Sequence, residues 1–213
     1  MDKAASVALS AANETATQGT TASTWGSVRA TTGFSTATSS AKVIFNCTLV
    51  SIDTSHGWIC GMGDSVMTIT NYPGATGNSF GYQGGNGSTY AHTITFNADC
   101  YDNNVGMVPG DILWIAVDLG NRSAWCSKSC ATWGTAASAN GDPDTNTAPN
   151  ITLSASTMYF PTWGGYDAGS ADAVTLGTNP SLGACGDVTT FITWDAAIAL
   201  AGGSSGLMLR GAP

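Results

Sequence analysis

An all-β sandwich is the fold the sequence predicts, and three observations predict it. The first is punctuation: 27 glycines and seven prolines separate short segments that are apolar or alternating, the pattern of strands and tight turns. The second is that no heptad, internal repeat or long amphipathic helix interrupts this pattern. The third is the segment 110–128, which reads as two strands joined by a tight turn. Apolar residues occupy both faces over 111–119, so this strand is expected to be buried on both sides. Leu119-Gly120-Asn121-Arg122 supplies the turn, because Gly and Asn accept positive φ. A second turn is expected at Ser127-Lys128-Ser129.

The remaining elements follow in order. Residues 6–11 alternate around Val7 and Leu9, and 25–31 form a short strand. Residues 42–52 make the longest alternating strand, with Val43, Phe45, Cys47 and Leu49 on one face. Residues 53–57, which include His56, turn the chain, and 58–63 return as the hairpin partner. Strands are predicted at 66–70 and 90–96. Between them, 71–88 is rich in Gly, Asn and aromatics and reads as a surface loop with room for a short strand at 80–83. Residues 134–150 form a polar loop. Strands are expected at 158–161, 173–176 and 191–194, and one helical turn at 196–201. The core domain spans 1–200, and 201–213 form a tail.

Composition excludes several functions. Only 9% of residues are charged, against roughly a quarter in ordinary soluble domains. The surface must be covered mainly by Ser, Thr, Asn and Gly. With six Lys and Arg and a net charge of −8, the cationic footprint that nucleic acid requires cannot form. Anionic membrane surfaces are disfavoured for the same reason. The longest strongly apolar run, 112–117, is too short to span a bilayer. The sequence opens without the apolar core of a signal peptide, so export by an N-terminal signal is not expected.

Candidate chemistry is sparse. The six cysteines are Cys47, Cys60, Cys100, Cys126, Cys130 and Cys185. They are expected to be buried free thiols of a protein made in a reducing cytoplasm. A Cys126–Cys130 bridge across the second turn is the alternative. Zinc is not expected, because four converging ligands are needed and only two histidines exist. Asp142-Pro143-Asp144-Thr145-Asn146 starts like a calcium loop. An EF-hand would need Gly at 147 and Glu at 153, where Thr147 and Leu153 stand; a looser calcium site is the remaining option, and otherwise no cofactor is expected. A glycosidase would need paired carboxylates, yet Glu14 is the only Glu, and Asp99 and Asp102 read as turn residues. The G-x-S-x-G match at 202–206 lies in a Gly/Ser tail, not at a strand-to-helix elbow. Aromatic residues in or beside loops are the better candidates for a binding site. Tyr72, Tyr82, Trp133, Trp163 and Tyr166 could stack on sugar faces or anchor a protein interface. Trp133 and Trp163 could equally cap the core, whereas Tyr72 and Tyr82 are expected to be exposed. Leu207, Met208 and Leu209 follow a Gly/Ser spacer and are candidates for docking into a partner, or else belong to a disordered terminus.

Several ordered motifs resemble those of SPRY domains, especially the SPRY-like domains of tailed-phage virion proteins. The strongest block is 110–128, with the form G-D-x-(apolar run)-D-L-(turn)-x-W-x-S-K. Trp25-Gly26 through Gly33 resembles the opening strand, and Trp58-Ile59-Cys60-Gly61 a V-G-I-A strand. Trp133-Gly134 with Gly141-Asp142-Pro143 resembles a W-N-G-D-P loop. Tyr159-Phe160-Pro161 resembles an aromatic-aromatic-Pro strand, and Phe191-Ile192-Thr193-Trp194-Asp195 the closing F-x-x-W-D. Lys42-Val43-Ile44-Phe45 departs from the K-W-Y-W/F-E pattern by lacking its Glu and aromatic pair. The resemblance covers roughly 5–195. It implies two antiparallel sheets packed face to face in a concanavalin A-like jelly roll, binding through loops, and no catalytic residues. The resulting expectation is a non-enzymatic phage virion surface protein: a capsid decoration, spike, tail-fibre or receptor-binding component. Its partners would be other virion proteins or host-surface glycan, with homo-oligomerisation left open. A soluble lectin is the alternative, followed by a cellular SPRY adaptor; a polysaccharide hydrolase is the least favoured.

Overall fold

The computed structural model describes residues 3–4, 7–10, 15–18, 24–51, 58–83, 89–92, 94–96, 107–135, 138–166, 173–177, 180–183 and 185–201. Over these residues the chain forms β1 (Val7–Ser10), β2 (Thr15–Gln18), β3 (Gly26–Arg29), β4 (Phe34–Ser35), β5 (Lys42–Ser51) and β6 (Trp58–Gly63). Next come β7 (Ser79–Gln83), β8 (Thr89–His92), β9 (Thr95–Phe96), β10 (Ile112–Asp118), β11 (Ser123–Ser127) and β12 (Trp133–Thr135). The last elements are β13 (Ser138–Gly141), β14 (Ile151–Thr152), β15 (Met158–Gly165), β16 (Ala173–Gly177), β17 (Ile192–Thr193) and α1 (Trp194–Leu200).

Two sheets carry the fold, and the predicted all-β sandwich is what forms. One sheet has the order β1-β2-β16-β5-β10-β11-β14-β9, and the other β3-β15-β6-β7-β8 with β4 beside β15. β12 and β13 pair as a separate hairpin. Strand β5 organises the larger sheet. One of its edges pairs with β10, from Ile112 opposite Thr48 to Asp118 opposite Lys42. Its other edge is divided between antiparallel β16 and parallel β17.

Period-2 alternation places the core. Val43, Phe45, Cys47 and Leu49 of β5 face Trp58, Cys60 and Met62 of β6 and Trp163 of β15 between the sheets. On the other face of the larger sheet, Ile44 of β5 and Trp114 and Ala116 of β10 point outward. There they meet Trp125, Trp133, Val188 and Phe191 in a second apolar cluster. This outer layer gives β10 its burial on both faces. Two indole N–H groups fix the layer, Trp125 Nε1 donating to Thr147 O and Trp133 Nε1 to Gly186 O, each at 2.9 Å.

The charged residues of the 110–128 motif close its hairpin at both ends. Asp111 Oδ2 lies 2.9 Å from Lys128 Nζ and also accepts from the Val108 amide. At the other end Asp118 Oδ1 accepts from the Asn121 amide at 2.9 Å, and its Oδ2 from Asn121 Nδ2 at 2.8 Å. The positive φ of this turn falls on Arg122, at 57°, and not on the Gly or Asn. The closing helix starts where a helix should: Thr193 caps it by accepting from the Ala196 amide. Its Trp194 packs edge-on against Phe34 and Phe45 in the core.

Four expectations need correction. Residues 58–63 do not return as the hairpin partner of 42–52: the chain crosses between the sheets from β5 to β6, and β6 pairs with β15 and β7 in the sheet opposite β5. The strand predicted at 66–70 is a series of turns, because Asp64 Oδ1 accepts from the amides of Val66 and Met67 and so competes with a strand ladder. The polar loop at 134–150 contains β13. The described cysteines are not free thiols, and Cys126 and Cys130 do not pair with each other. Disulfides join Cys47 to Cys60 and Cys130 to Cys185, and Cys126 is also disulfide-bonded. Cys126 faces the inter-sheet core, whereas Cys130 lies in the outer cluster, so the sheet separates them.

Candidate functional site

The outer face of the smaller sheet is roofed by the segment 64–78. Besides the amides of 66 and 67, Asp64 takes a hydrogen bond from Asn78 Nδ2 at 2.7 Å, which ties the two ends of the roof together. Ser27 N donates to Ile69 O at 2.8 Å, and Ser27 Oγ donates to Asn71 O. The Gly74 amide donates to Ser79 Oγ at 2.8 Å. The roof fits because the sheet beneath lacks side chains where it lands. A Cβ on Gly164 would come 3.2 Å from Pro73 Cδ and 3.3 Å from Tyr72 Cα, and one on Gly81 would come 2.7 Å from Pro73 O.

This packing holds Tyr72 against Trp25, with ring centroids 4.6 Å apart and planes at 53°. Tyr166 flanks the same indole at 5.1 Å and 54°. Register explains the third member: Gly26 of β3 is opposite Gly165 of β15, so the residues just beyond each, Trp25 and Tyr166, emerge side by side. All three are half-buried. The rings are therefore fixed in position yet keep exposed surface. Such a fan of pre-positioned aromatics can stack on the apolar faces of a sugar or receive an apolar side chain of a protein, at low entropic cost.

The other aromatic candidates are placed differently. Tyr82, expected to be exposed, is only 3% exposed and faces the inter-sheet core, as Trp163 does. Both belong to one cross-sheet row, since Trp163 pairs with Cys60 and Cys60 with Tyr82. Trp133 is buried in the outer cluster. These three side chains present no ring to a ligand and act as core. Trp25 joins the candidates only in the folded structure; the sequence places it at the start of a strand, with no loop signal to mark it. Leu207, Met208 and Leu209 lie outside the described residues, as do Glu14, His56, Asp99, Asp102 and the G-x-S-x-G match.

In the loop 142–146, where a looser calcium site was the option, both carboxylates are engaged by the chain itself. Asp142 Oδ1 accepts from the Thr145 amide at 3.1 Å and Oδ2 from the Thr145 hydroxyl at 2.7 Å. Asp144 accepts from the amides and hydroxyls of both Thr189 and Thr190, at 2.5–2.9 Å. Burial acts to raise the Asp144 pKa, but these hydrogen bonds outweigh it and hold the carboxyl at about 2. Both carboxylates bind chain segments together. No group of three His, Cys, Asp or Glu converges as a metal site among the described residues.

No family model matches the sequence, and no curated protein matches it either. Solved structures do match. The SPRY domain of human HERC1 is 16% identical with a TM-score of 0.56, over 83% of this chain and 94% of that one. A human SPRY domain is 13% identical with a TM-score of 0.58, over 85% of this chain and 100% of that one. With two antiparallel sheets and these neighbours, the chain has a SPRY-like β-sandwich fold.

Proposed function

We propose that this chain is a non-enzymatic binding module on the surface of a tailed-phage virion, and that it engages host-surface glycan through Trp25, Tyr72 and Tyr166. The single observation that carries the reading is the half-exposed aromatic fan, built at one end of the smaller sheet by residues from three separate segments. Its rings are held by backbone register and by the glycine-seated roof, and no catalytic group is needed for them to bind. Supporting the virion context are the ordered phage-type SPRY motifs and the low charge of the chain. A neighbouring virion protein is the other partner class for the same site.

A glycan array with purified protein tests this, run with and without calcium. The expected result is a specific hit that does not depend on calcium and falls at least tenfold in Trp25→Ala, Tyr72→Ala and Tyr166→Ala, with the thermal midpoint retained. Absence of any glycan hit, or a hit indifferent to all three substitutions, would overturn the glycan reading.

A further inference from the structure

A second feature lies away from the aromatic fan and is independent of it. Two clefts of about 350 and 360 Å³ flank α1 and share a wall made by Phe34, Thr38, Ser39 and Ala201. Their linings mix apolar side chains with the hydroxyls of Thr38 and Ser39, joined by Ser40 in one cleft and by Thr32 and Ser35 in the other. Ile192 and Leu200 line one, Met158 and Ile198 the other, and among the described residues no charged side chain lines either. Leu200 is 79% exposed and Met158 48% exposed, so two of the largest exposed apolar side chains sit on one groove. Single exposed apolar residues are ordinary, but large ones gathered on one groove call for an occupant.

We infer that the occupant is the chain's own segment Leu207-Met208-Leu209, seated in the groove of the molecule that carries it. Ala201 lines both clefts and is where the segment departs. Gly202-Gly203-Ser204-Ser205-Gly206 follows, a spacer of the composition that reverses direction most freely. Six residues from Ala201 to Leu207 reach at most about 20 Å, enough to return to a groove whose wall includes Ala201. Residues 202–209 carry no charge, which matches the uncharged lining. A spacer this short gives the tethered segment an effective concentration in the millimolar range, so a free partner competes at a disadvantage. Two clefts with a shared wall suit two apolar side chains spaced i and i+2, which an extended segment presents on one face.

The test places a benzophenone photo-crosslinking residue at position 208 of the full chain and maps the products by mass spectrometry. Expected are crosslinks within one molecule to peptides from 32–41, 158 or 192–201, with a yield independent of protein concentration. The yield falls at least tenfold when Leu207→Asp and Leu209→Asp are combined, and also in Leu200→Asp, a substitution at an exposed rim position that leaves the core intact. Crosslinks only between chains would overturn the inference in favour of exchange with a second copy. Crosslinks elsewhere on the molecule, or none, would overturn it outright.

Discussion

Asp144 shows how much one exposed-looking carboxylate can organise. It binds 189–190 through four hydrogen bonds, and its own carbonyl accepts from Lys42 Nζ at 2.8 Å. That ammonium lies 3.6 Å from Asp118 and 5.4 Å above the Phe191 ring. The outer layer is thereby tied to the first residue of β5. Because the folded pKa of Asp144, about 2, lies below its usual 3.8, the stability it contributes is present above about pH 4 and is lost as pH falls through about 2. Asp144→Ala should remove that part of the acid sensitivity and cost about 1–2 kcal/mol at neutral pH, measurable by denaturant unfolding at both pH values. The aromatic residues divide just as clearly. Tyr82→Ala should destabilise by about 3–5 kcal/mol through a core cavity, while Tyr72→Ala should alter binding with little change in stability. Tyr72 and Tyr166 were legible as partly exposed loop aromatics because they stand in or beside Gly- and Asn-rich loops. Trp25 was not, since what brings it to them is the β3–β15 register, a pairing between distant segments that no local pattern encodes.

At the level of elements, strongly patterned segments were legible and short pairings were not. The alternation in 42–52 marks a core face that the structure keeps, and the two-faced apolarity of 111–119 matches β10. By contrast β14 and β17 have two residues each; they exist because longer strands offer them an edge, not because of their own periodicity. The roof over the smaller sheet depends on a similar relation, the fit of one segment to glycines in strands beneath it. Gly164 is the decisive position, since a Cβ there would also approach Ser27 Oγ to 2.8 Å, the hydroxyl that holds Asn71. Gly164→Ala should therefore force the roof outward. The expected outcome is a loss of about 1–3 kcal/mol from overpacking, together with weakened ligand binding, because Tyr72 moves with the roof. Unchanged affinity with reduced stability would mean that the position of Tyr72 is set by Trp25 alone.

For the whole molecule, the sandwich was readable from turns and alternation, whereas its crosslinks were not. Disulfide pairing belongs to the assembled fold: Cys47 and Cys60 meet because β5 and β6 lie in opposite sheets with both thiols facing inward. This bridge joins the two sheets across the core. Cys130–Cys185 does a different task, fastening the outer layer beside Trp133, with the Gly186 amide donating to Cys130 O at 3.0 Å. The sequence separations are 13 and 55 residues. Loop-closure entropy makes bridges over such spans worth about 3 and about 4 kcal/mol, the larger value belonging to the bridge that holds the peripheral layer. Reduced cysteines at these buried or half-buried positions still pack as small apolar side chains, and both apolar clusters remain, so reduction should weaken the sandwich without abolishing it. The pair Cys130→Ser with Cys185→Ser should lower the thermal midpoint by roughly 10 °C and expose Trp133 and Trp125 to a water-soluble quencher. A midpoint that does not move would show that the Trp133 and Asp144 hydrogen bonds hold the outer layer unaided.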